Sequence, residues 1–116
     1  MCAIDFEGPK FIEITTPTAR LPHRCCECHR QIDPGERYEV AAGRWDDFEV
    51  FKTCAHCVSA RQWLEKECDA FIYGEVEMDL HQHAKEGKEP MRLYRYVAAM
   101  RRGWRRRDGR LMAVPL

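Results

Sequence analysis

Apolar and polar residues alternate in three stretches of the chain, as they do along half-buried β-strands. The first stretch is 10–16, and the others are 37–41 and 48–53, all rich in β-branched or aromatic residues. The Ala-Gly-Arg sequence at 42–44 offers a turn between the second and third stretches. We therefore expect a β-hairpin that turns at 42–44, with the N-terminal stretch added beside it as a third strand.

A helical period replaces the alternation after residue 54. Apolar residues recur there at intervals of three and four and form one stripe, with Arg61 outside it. The stripe consists of Ala60, Trp63, Leu64, Cys68, Phe71 and Ile72. It predicts an amphipathic helix that reaches residue 72. Gly74 leaves two outcomes open, because the helix can continue past it with a local weakness or a new helix can begin there.

A last helix is expected to begin near Pro90, since proline suits the first turn of a helix. Its apolar face consists of Leu93, Tyr94, Val97, Met100 and Trp104. Residues 105–110 are expected to continue this helix as a basic turn. The side chains of His56, His81 and His83 are expected to be exposed. His81 and His83 are two positions apart, so they face opposite sides of a helix and cannot share a metal ion.

Two Cys-x-x-Cys pairs carry the strongest chemical signal in the chain: Cys25 with Cys28, and Cys54 with Cys57. The pairs are separated by 25 residues, and two such pairs can supply four thiolates to one tetrahedral ion, usually zinc. The second pair opens the predicted helix, where free N–H groups and the positive end of the helix dipole favour thiolates. The sequence therefore predicts one structural zinc ion bound by these four cysteines.

A tight turn is predicted just after the first cysteine pair. Pro34 has a preset φ and Gly35 accepts a positive φ, which suits a type II turn. The turn leads directly into the first strand of the hairpin. The expected order is thus a metal-binding knuckle at residues 25–28, a hairpin and a helix.

This order of knuckle, hairpin and helix resembles the treble-clef family of zinc domains. The run 25–38, followed by Trp45 and by 51–57, is also similar to small four-cysteine proteins that phages and prophages encode. The resemblance covers residues 22–72 and implies a zinc-binding core there. It implies no particular activity, because treble clefs serve in nucleic-acid binding, protein binding and, with added residues, nuclease chemistry.

The expected fold is α+β, a small treble-clef zinc domain with added elements at both ends. A chain of 116 residues suits one domain, so we expect 1–116 to fold as a unit. Within it, 22–72 forms the zinc core and 75–116 forms a helical C-terminal extension with an arginine-rich end. A core of this size gains stability from a metal ion.

Disulfide and iron alternatives fit the cysteine pattern less well. Disulfides imply secretion, but residues 1–7 lack the basic and apolar regions of a signal peptide. Rubredoxin-type iron sites resemble this spacing but carry glycine after each pair, where this chain has His29 and Val58. Cys26 could replace Cys25 only with a ligand loop one residue short of the usual length. No apolar run approaches the roughly 20 residues of a membrane span, so we expect a soluble, cytoplasmic zinc protein.

Charge is distributed unevenly, although 19 basic and 19 acidic residues cancel over the whole chain. Residues 90–116 hold eight arginines and one aspartate, a net charge of +7, and residues 1–89 carry the opposite charge of −7. Arginine clusters suit phosphate contacts. The candidate residues are Arg101, Arg102, Arg105, Arg106, Arg107 and Arg110. The alternative is that these arginines pair with the acidic stretch 75–89 of the same chain.

Enzymatic functions are disfavoured by missing residues. A treble-clef nuclease requires a histidine in the hairpin, and residues 36–53 contain none. A nucleotide deaminase requires proline before its Cys-x-x-Cys pair, where this chain has Thr53. Four thiolates also leave no coordination position for a water molecule. We therefore expect neither an enzyme nor a small-molecule substrate.

Two function classes remain. The first is a protein-binding module, a phage-encoded factor that docks on a host protein or defence complex through Trp45, Phe48 and Phe51 of the hairpin. The second is a nucleic-acid-binding accessory protein that uses the arginine-rich C-terminus. The acidic main body opposes general affinity for nucleic acid, so the first class is preferred.

Overall fold

The computed structural model describes residues 8–115, and residues 1–7 and 116 lie outside that description. Within it the chain forms a small α+β fold with a three-stranded sheet, a two-stranded ribbon and three helices. The strands are β1 (Phe11–Thr15), β2 (His23–Arg24), β3 (Gln31–Ile32), β4 (Tyr38–Arg44) and β5 (Phe48–Cys54). The helices are α1 (Ala55–Cys68), α2 (Val76–Lys85) and α3 (Pro90–Arg101).

The sheet is antiparallel with the order β1-β4-β5. In β1, Phe11 lies opposite Arg44, and at the far end of the hairpin Tyr38 lies opposite Cys54. The predicted N-terminal strand is therefore present and adds to the hairpin, as the alternation of its residues indicates. Its position makes β4 the central strand and leaves β1 at an edge.

The hairpin turns later than the sequence predicts. Gly43 and Arg44 belong to β4, and residues 45–47 form the connection. Gly43 is needed for close packing rather than for a turn, since a Cβ at this position would lie 2.9 Å from the Phe11 carbonyl oxygen and from the Trp45 ring. The prediction of a turn at 42–44 was wrong because a strand glycine that permits close approach resembles a turn glycine in sequence.

Helix α1 begins at the second cysteine pair, as predicted, but it ends at Cys68. Asp69 adopts a left-handed conformation with φ of 58° and terminates the helix. Phe71 therefore lies beyond the helix, in the segment that leads to α2. The prediction that the apolar stripe runs to residue 72 within one helix was wrong.

Arg61 is buried, although the helical stripe places it on the polar side. Only 4% of the residue is exposed, and its guanidinium forms ion pairs with Glu39 of β4 and Glu65 of α1. The guanidinium also lies 4.4 Å from the centre of the Phe71 ring. The part of α1 around Arg61 is thus covered by the sheet and by the segment that follows the helix.

Gly74, which has a φ of 85°, lies in the segment between α1 and α2. Helix α2 is therefore a separate helix that begins after this glycine. Helix α3 begins at Pro90 as expected and ends at Arg101. Residues 105–110 do not continue it, because Gly103 and Trp104 both have positive φ and turn the chain. No helix within residues 8–115 has the length and apolar character needed to cross a membrane.

The histidine predictions were wrong for two of three residues. His56 and His83 are buried, with 3% and 2% exposure, while His81 is half-buried. His83 faces the Trp63 ring at 5.1 Å between ring centres. Packing of α2 against α1 buries His83, and the helical period of α2 alone does not reveal this contact.

One hydrophobic cluster joins the knuckle, the hairpin and all three helices. Its largest fully buried apolar side chains are Ile32, Leu64, Leu80, Leu93, Met100 and Val76. Because these residues come from both sides of Gly74, the helical extension shares its core with the cysteine-containing region. Folding of one part therefore buries apolar surface of the other.

The turn at Pro34-Gly35 has the conformation that the sequence predicts. Gly35 has a φ of 95°, and the Glu36 N–H donates to the Asp33 carbonyl oxygen at 3.1 Å. A second bond, from the Gly35 N–H to the Ala19 carbonyl oxygen at 2.8 Å, fixes the turn against the preceding chain. A side chain at position 35 would meet no neighbouring atom within 4 Å, so only backbone strain opposes it.

Gly35→Val is expected to lower the free energy of unfolding by about 1–3 kcal/mol, because a β-branched residue is strained at this positive φ. The thermal midpoint of the metal-loaded protein measures the loss. Gly35→Asn is the matched control, since asparagine tolerates positive φ and should lose less. Equal midpoints for Gly35→Val and the parent would contradict the assigned strain.

Candidate metal centre

The ribbon of β2 and β3 holds the first cysteine pair in a knuckle. The Cys25 N–H donates to the Arg30 carbonyl oxygen, and the His29 N–H donates to the Cys25 carbonyl oxygen, both at 3.0 Å. His29 has a φ of 64°, which folds the chain back on itself. These bonds place Cys25 and Cys28 on the inner side of the knuckle, where the second pair also lies.

The end of β5 and the first turn of α1 supply the second pair. Cys54 is the N-cap of α1, and its Sγ accepts a hydrogen bond from the Cys57 N–H at 3.4 Å. The sulfur therefore takes the place that a hydroxyl or carboxylate oxygen usually occupies at a helix start. The positive end of the helix dipole favours the thiolate form there.

The four sulfur atoms of Cys25, Cys28, Cys54 and Cys57 all lie within 4.8 Å of one another. Cys28 Sγ and Cys54 Sγ are 3.9 Å apart, and none of the four residues forms a disulfide. A tetrahedral ion with metal–sulfur bonds of about 2.3 Å requires sulfur separations of about 3.8 Å. The cluster can therefore hold one metal ion with little rearrangement.

Burial opposes negative charge on these sulfurs, and backbone hydrogen bonds offset part of that cost. Cys25, Cys54 and Cys57 are fully buried, and Cys28 is half-buried. Backbone N–H groups of Glu27 and Cys54 donate to Cys25 Sγ at 3.4 and 3.3 Å. Such bonds stabilise thiolates in a buried site. Four thiolates around one ion also close its coordination shell.

The sulfurs strongly perturb each other's protonation. Hydrogen bonds from Cys25, and then from Cys28 and Cys57, hold the pKa of Cys54 far below its usual value. The pKa of Cys57 lies far above its usual value, because the sulfurs of Cys25, Cys28 and Cys54 favour its protonated form and because it is buried. A divalent cation would replace the shared protons, so metal binding is expected to weaken as the pH falls.

Cys26 does not belong to the cluster, although it lies beside Cys25 in sequence. Its Sγ lies 3.4 Å from Thr53 Oγ1, and burial raises the pKa of this thiol to about 12. The thiol therefore stays protonated at neutral pH. Of the two possible ligands Cys25 and Cys26, only Cys25 lies in the cluster.

Trp104 donates a hydrogen bond to the cluster from the C-terminal end of the chain. Its Nε1 lies 3.3 Å from Cys57 Sγ, and the residue is 2% exposed. This contact was missed in the sequence, where Trp104 is one more apolar residue in the period of the last helix. The separation of 47 positions leaves no local signal that could identify it.

Trp104→Phe is expected to weaken metal binding by about tenfold, since hydrogen bonds to metal ligands typically matter by 10- to 100-fold. Phenylalanine keeps most of the buried ring and removes only the donor. Competition with a chromophoric chelator, with zinc as the probe, measures the affinity. Trp63→Phe is the matched control, because Trp63 Nε1 donates to Glu89 instead of to a sulfur. Equal affinities for the two variants would contradict this role.

The C-terminal residues form a clasp over the cysteine-containing region, defined here as residues 104–115. Arg30 Nη2 lies 3.3 Å from His56 Nδ1, and His56 Nε2 donates to the Met112 carbonyl oxygen at 2.5 Å. Because a carbonyl only accepts, the His56 proton resides on Nε2 and its Nδ1 accepts from Arg30. Ser59 Oγ donates to the Pro115 carbonyl oxygen. The clasp explains why His56 is buried.

Glu27 connects the knuckle to α2. Its carboxylate accepts hydrogen bonds from the N–H groups of Gly74 at 2.9 Å and Val76 at 3.3 Å. Burial raises the pKa of Glu27, while the two N–H donors favour the carboxylate. Since Glu75 provides no side-chain cap, Glu27 caps α2 from the knuckle.

The predicted partner-binding residues do not form one surface. Trp45 and Phe51 pack edge to face at 5.3 Å between ring centres, and the Phe51 ring stacks on Tyr73 at 4.6 Å. Phe48 is three positions from Phe51 on β5 and so points to the opposite face of the sheet. It is 59% exposed. Trp45 and Phe51 are thus partly covered by the molecule itself.

The arginine-rich end is divided between paired and unpaired side chains. The ion pairs are Arg101–Glu77, Arg105–Asp33 and Arg110–Asp108. The first joins α3 to the acidic α2, and the second joins the clasp to the turn after the knuckle. Of the six candidate arginines, Arg102, Arg106 and Arg107 are exposed and form no ion pair within residues 8–115. Any local phosphate contact would depend chiefly on these three.

Comparison of the chain with family models, with curated proteins and with solved structures finds no significant match. The function is therefore inferred from the residues of this chain and their geometry.

Proposed function

We propose that this chain is a non-enzymatic binding module of the treble-clef type, which a structural zinc ion stabilises and which docks on another protein. The observation that carries the proposal is the closed cluster of four sulfurs, three of them on fully buried residues, which leaves a bound ion no free coordination position. A metal site of this kind stabilises the fold and offers no position for catalysis. The proposed role of the molecule is therefore to bind a partner.

Zinc is the ion that this donor set favours. Four thiolates in a tetrahedron suit zinc or an iron–sulfur centre, whereas magnesium and calcium require oxygen ligands. The order of elements around the cluster supports a treble clef: the knuckle lies between β2 and β3, the hairpin follows, and α1 begins at Cys54. A ratio of about one zinc per chain is expected from elemental analysis of the purified protein.

Apolar side chains on the outer part of the sheet support a protein as the partner. Phe11 and Phe48 lie on one face, because both are aligned with Arg44 across neighbouring strands, and each is more than half exposed. Val50 extends this patch along β5 and is 47% exposed. Apolar side chains exposed on either side of Arg44 support this face as a candidate interaction surface. The resemblance to phage-encoded zinc proteins makes a host protein or defence complex the proposed target.

Affinity capture from a host lysate, with and without nuclease treatment, tests this function. The metal-loaded chain is expected to retain a defined protein after nuclease treatment. Phe48→Ser is expected to lose it, and the exposed Val114→Ser is the control because it lies outside the sheet. A chain that retains no protein in either preparation would contradict the proposed function.

The alternative is a nucleic-acid-binding accessory protein, and the three exposed arginines without ion pairs favour it. Replacement of Arg102, Arg106 and Arg107 by serine leaves the Arg105–Asp33 pair in place. If nucleic acid is the partner, the change should reduce the slope of log binding constant against log salt concentration by up to about one for each lost phosphate contact. A submicromolar, sequence-independent DNA affinity at physiological salt would favour this alternative over a protein partner.

A further inference from the structure

A groove of about 690 Å³ lies between the sheet and the segment that joins α1 to α2. Ile12 and Ile14 of β1 and Phe51 of β5 line the sheet side, and Phe71 and Tyr73 line the opposite side. Phe51 and Tyr73 stack in parallel within it. We call this feature the sheet groove. It lies on the face of the sheet opposite to Phe11 and Phe48, so it is separate from the exposed apolar patch.

The rim of the sheet groove is acidic. Glu49, Glu65 and Asp69 line it, and Arg61 is the one basic side chain among its described lining residues. The charge of Arg61 is already engaged by Glu65 and the buried Glu39. The acidic lining residues outnumber this one engaged cation, so the groove favours a ligand that combines apolar groups with positive charge.

Strand β1 forms one border of the sheet groove and is an edge of the sheet. All five of its residues are exposed, and no described strand pairs with its outer side. Alternate residues of an edge strand direct their N–H and C=O groups outward, where they can pair with another extended chain. The groove thus combines a free backbone edge with an adjacent apolar cleft.

We propose that the sheet groove binds an extended, basic segment of a partner protein, which adds as a strand to β1. Every second side chain of such a segment faces the groove side of the sheet, where apolar residues lie beside Ile12 and Ile14 of β1. Lysine or arginine at other groove-facing positions lies on the same side as the acidic lining residues Glu49 and Asp69. This inference rests on the proposed protein-binding function and identifies the chemistry of the partner.

Selection of short random peptides, displayed on phage, against the metal-loaded full chain tests the proposal. Enriched peptides are expected to carry both apolar residues and lysine or arginine at every second position, where they face the groove together, and to lack proline in the apolar stretch. The double variant Ile12→Ser/Ile14→Ser should bind them at least about tenfold more weakly, a difference of roughly 1.4 kcal/mol. Glu13→Gln/Thr15→Ser is the matched control, because it changes two exposed residues on the other face of the same strand.

Three results of the peptide selection would overturn the proposal. They are the absence of enriched peptides, enrichment of acidic peptides, and equal loss of affinity in both double variants. A gain of about tenfold or more on removal of residues 1–7 would also overturn it, since the chain's own N-terminal segment would then be the occupant. If a protein captured from lysate survives in Ile12→Ser/Ile14→Ser, the sheet groove is excluded as its site while the protein-binding function stands.

Discussion

Cys54→Ser is expected to abolish stoichiometric metal binding and to unfold the region around the knuckle and α1. Zinc binding in small domains of this kind is coupled to folding by about 10–16 kcal/mol, which exceeds the whole stability of a typical domain of this size. Serine is itself a good N-cap, so the helix start is retained and the loss reports on the metal. No other substitution in this chain is expected to have a larger effect.

Elemental analysis and the thermal unfolding curve measure the effect of Cys54→Ser. Cys26→Ser is the matched control, because Cys26 is a half-buried thiol of the knuckle whose sulfur faces Thr53 instead of the cluster. The control should keep both its metal and its thermal midpoint. A Cys54→Ser protein that remains folded with one bound ion would remove the basis of the proposed zinc module.

Arg61→Met is expected to destabilise the metal-loaded protein by about 3–5 kcal/mol, because it leaves the carboxylate of Glu39 buried without its partner. Glu39 is 8% exposed, and one of its oxygens already has no hydrogen-bond partner within residues 8–115. The double variant Arg61→Met/Glu39→Gln should recover much of this loss, because it also removes the buried charge. Methionine preserves most of the contact with Phe71.

Chemical denaturation at saturating zinc measures these differences in the free energy of unfolding. Arg102→Met is the control, since Arg102 is exposed and a change there should stay within about 0.5 kcal/mol. If Arg61→Met lowers the free energy of unfolding no more than Arg102→Met does, the ion pair between Arg61 and Glu39 is effectively solvated.

Features that depend on neighbouring residues were predicted well from the sequence. The cysteine spacing anticipated the cluster of four sulfurs, and Pro34-Gly35 anticipated the positive φ of the turn. The beginning of α1 at the second pair followed from the onset of a helical period. In each case the physical cause lies within a few positions along the chain.

Features that depend on distant contacts were predicted poorly. Gly43 looked like a turn residue because the carbonyl of Phe11, 32 positions away, is not visible in the local pattern. Arg61 looked like a solvated helix residue because its partner Glu39 lies on β4. His56 looked exposed because the chain that covers it is the clasp near Met112. Helical or strand periods describe one element at a time and omit what packs against it.

The clasp has a consequence for the order of events during protein synthesis. All four cysteines leave the ribosome before Trp104, which is 47 positions after Cys57. A nascent chain can therefore capture an ion while the donor to Cys57 Sγ is still inside the exit tunnel. Metal acquired at that stage would be held less tightly, and emergence of Trp104 from the tunnel would complete the site.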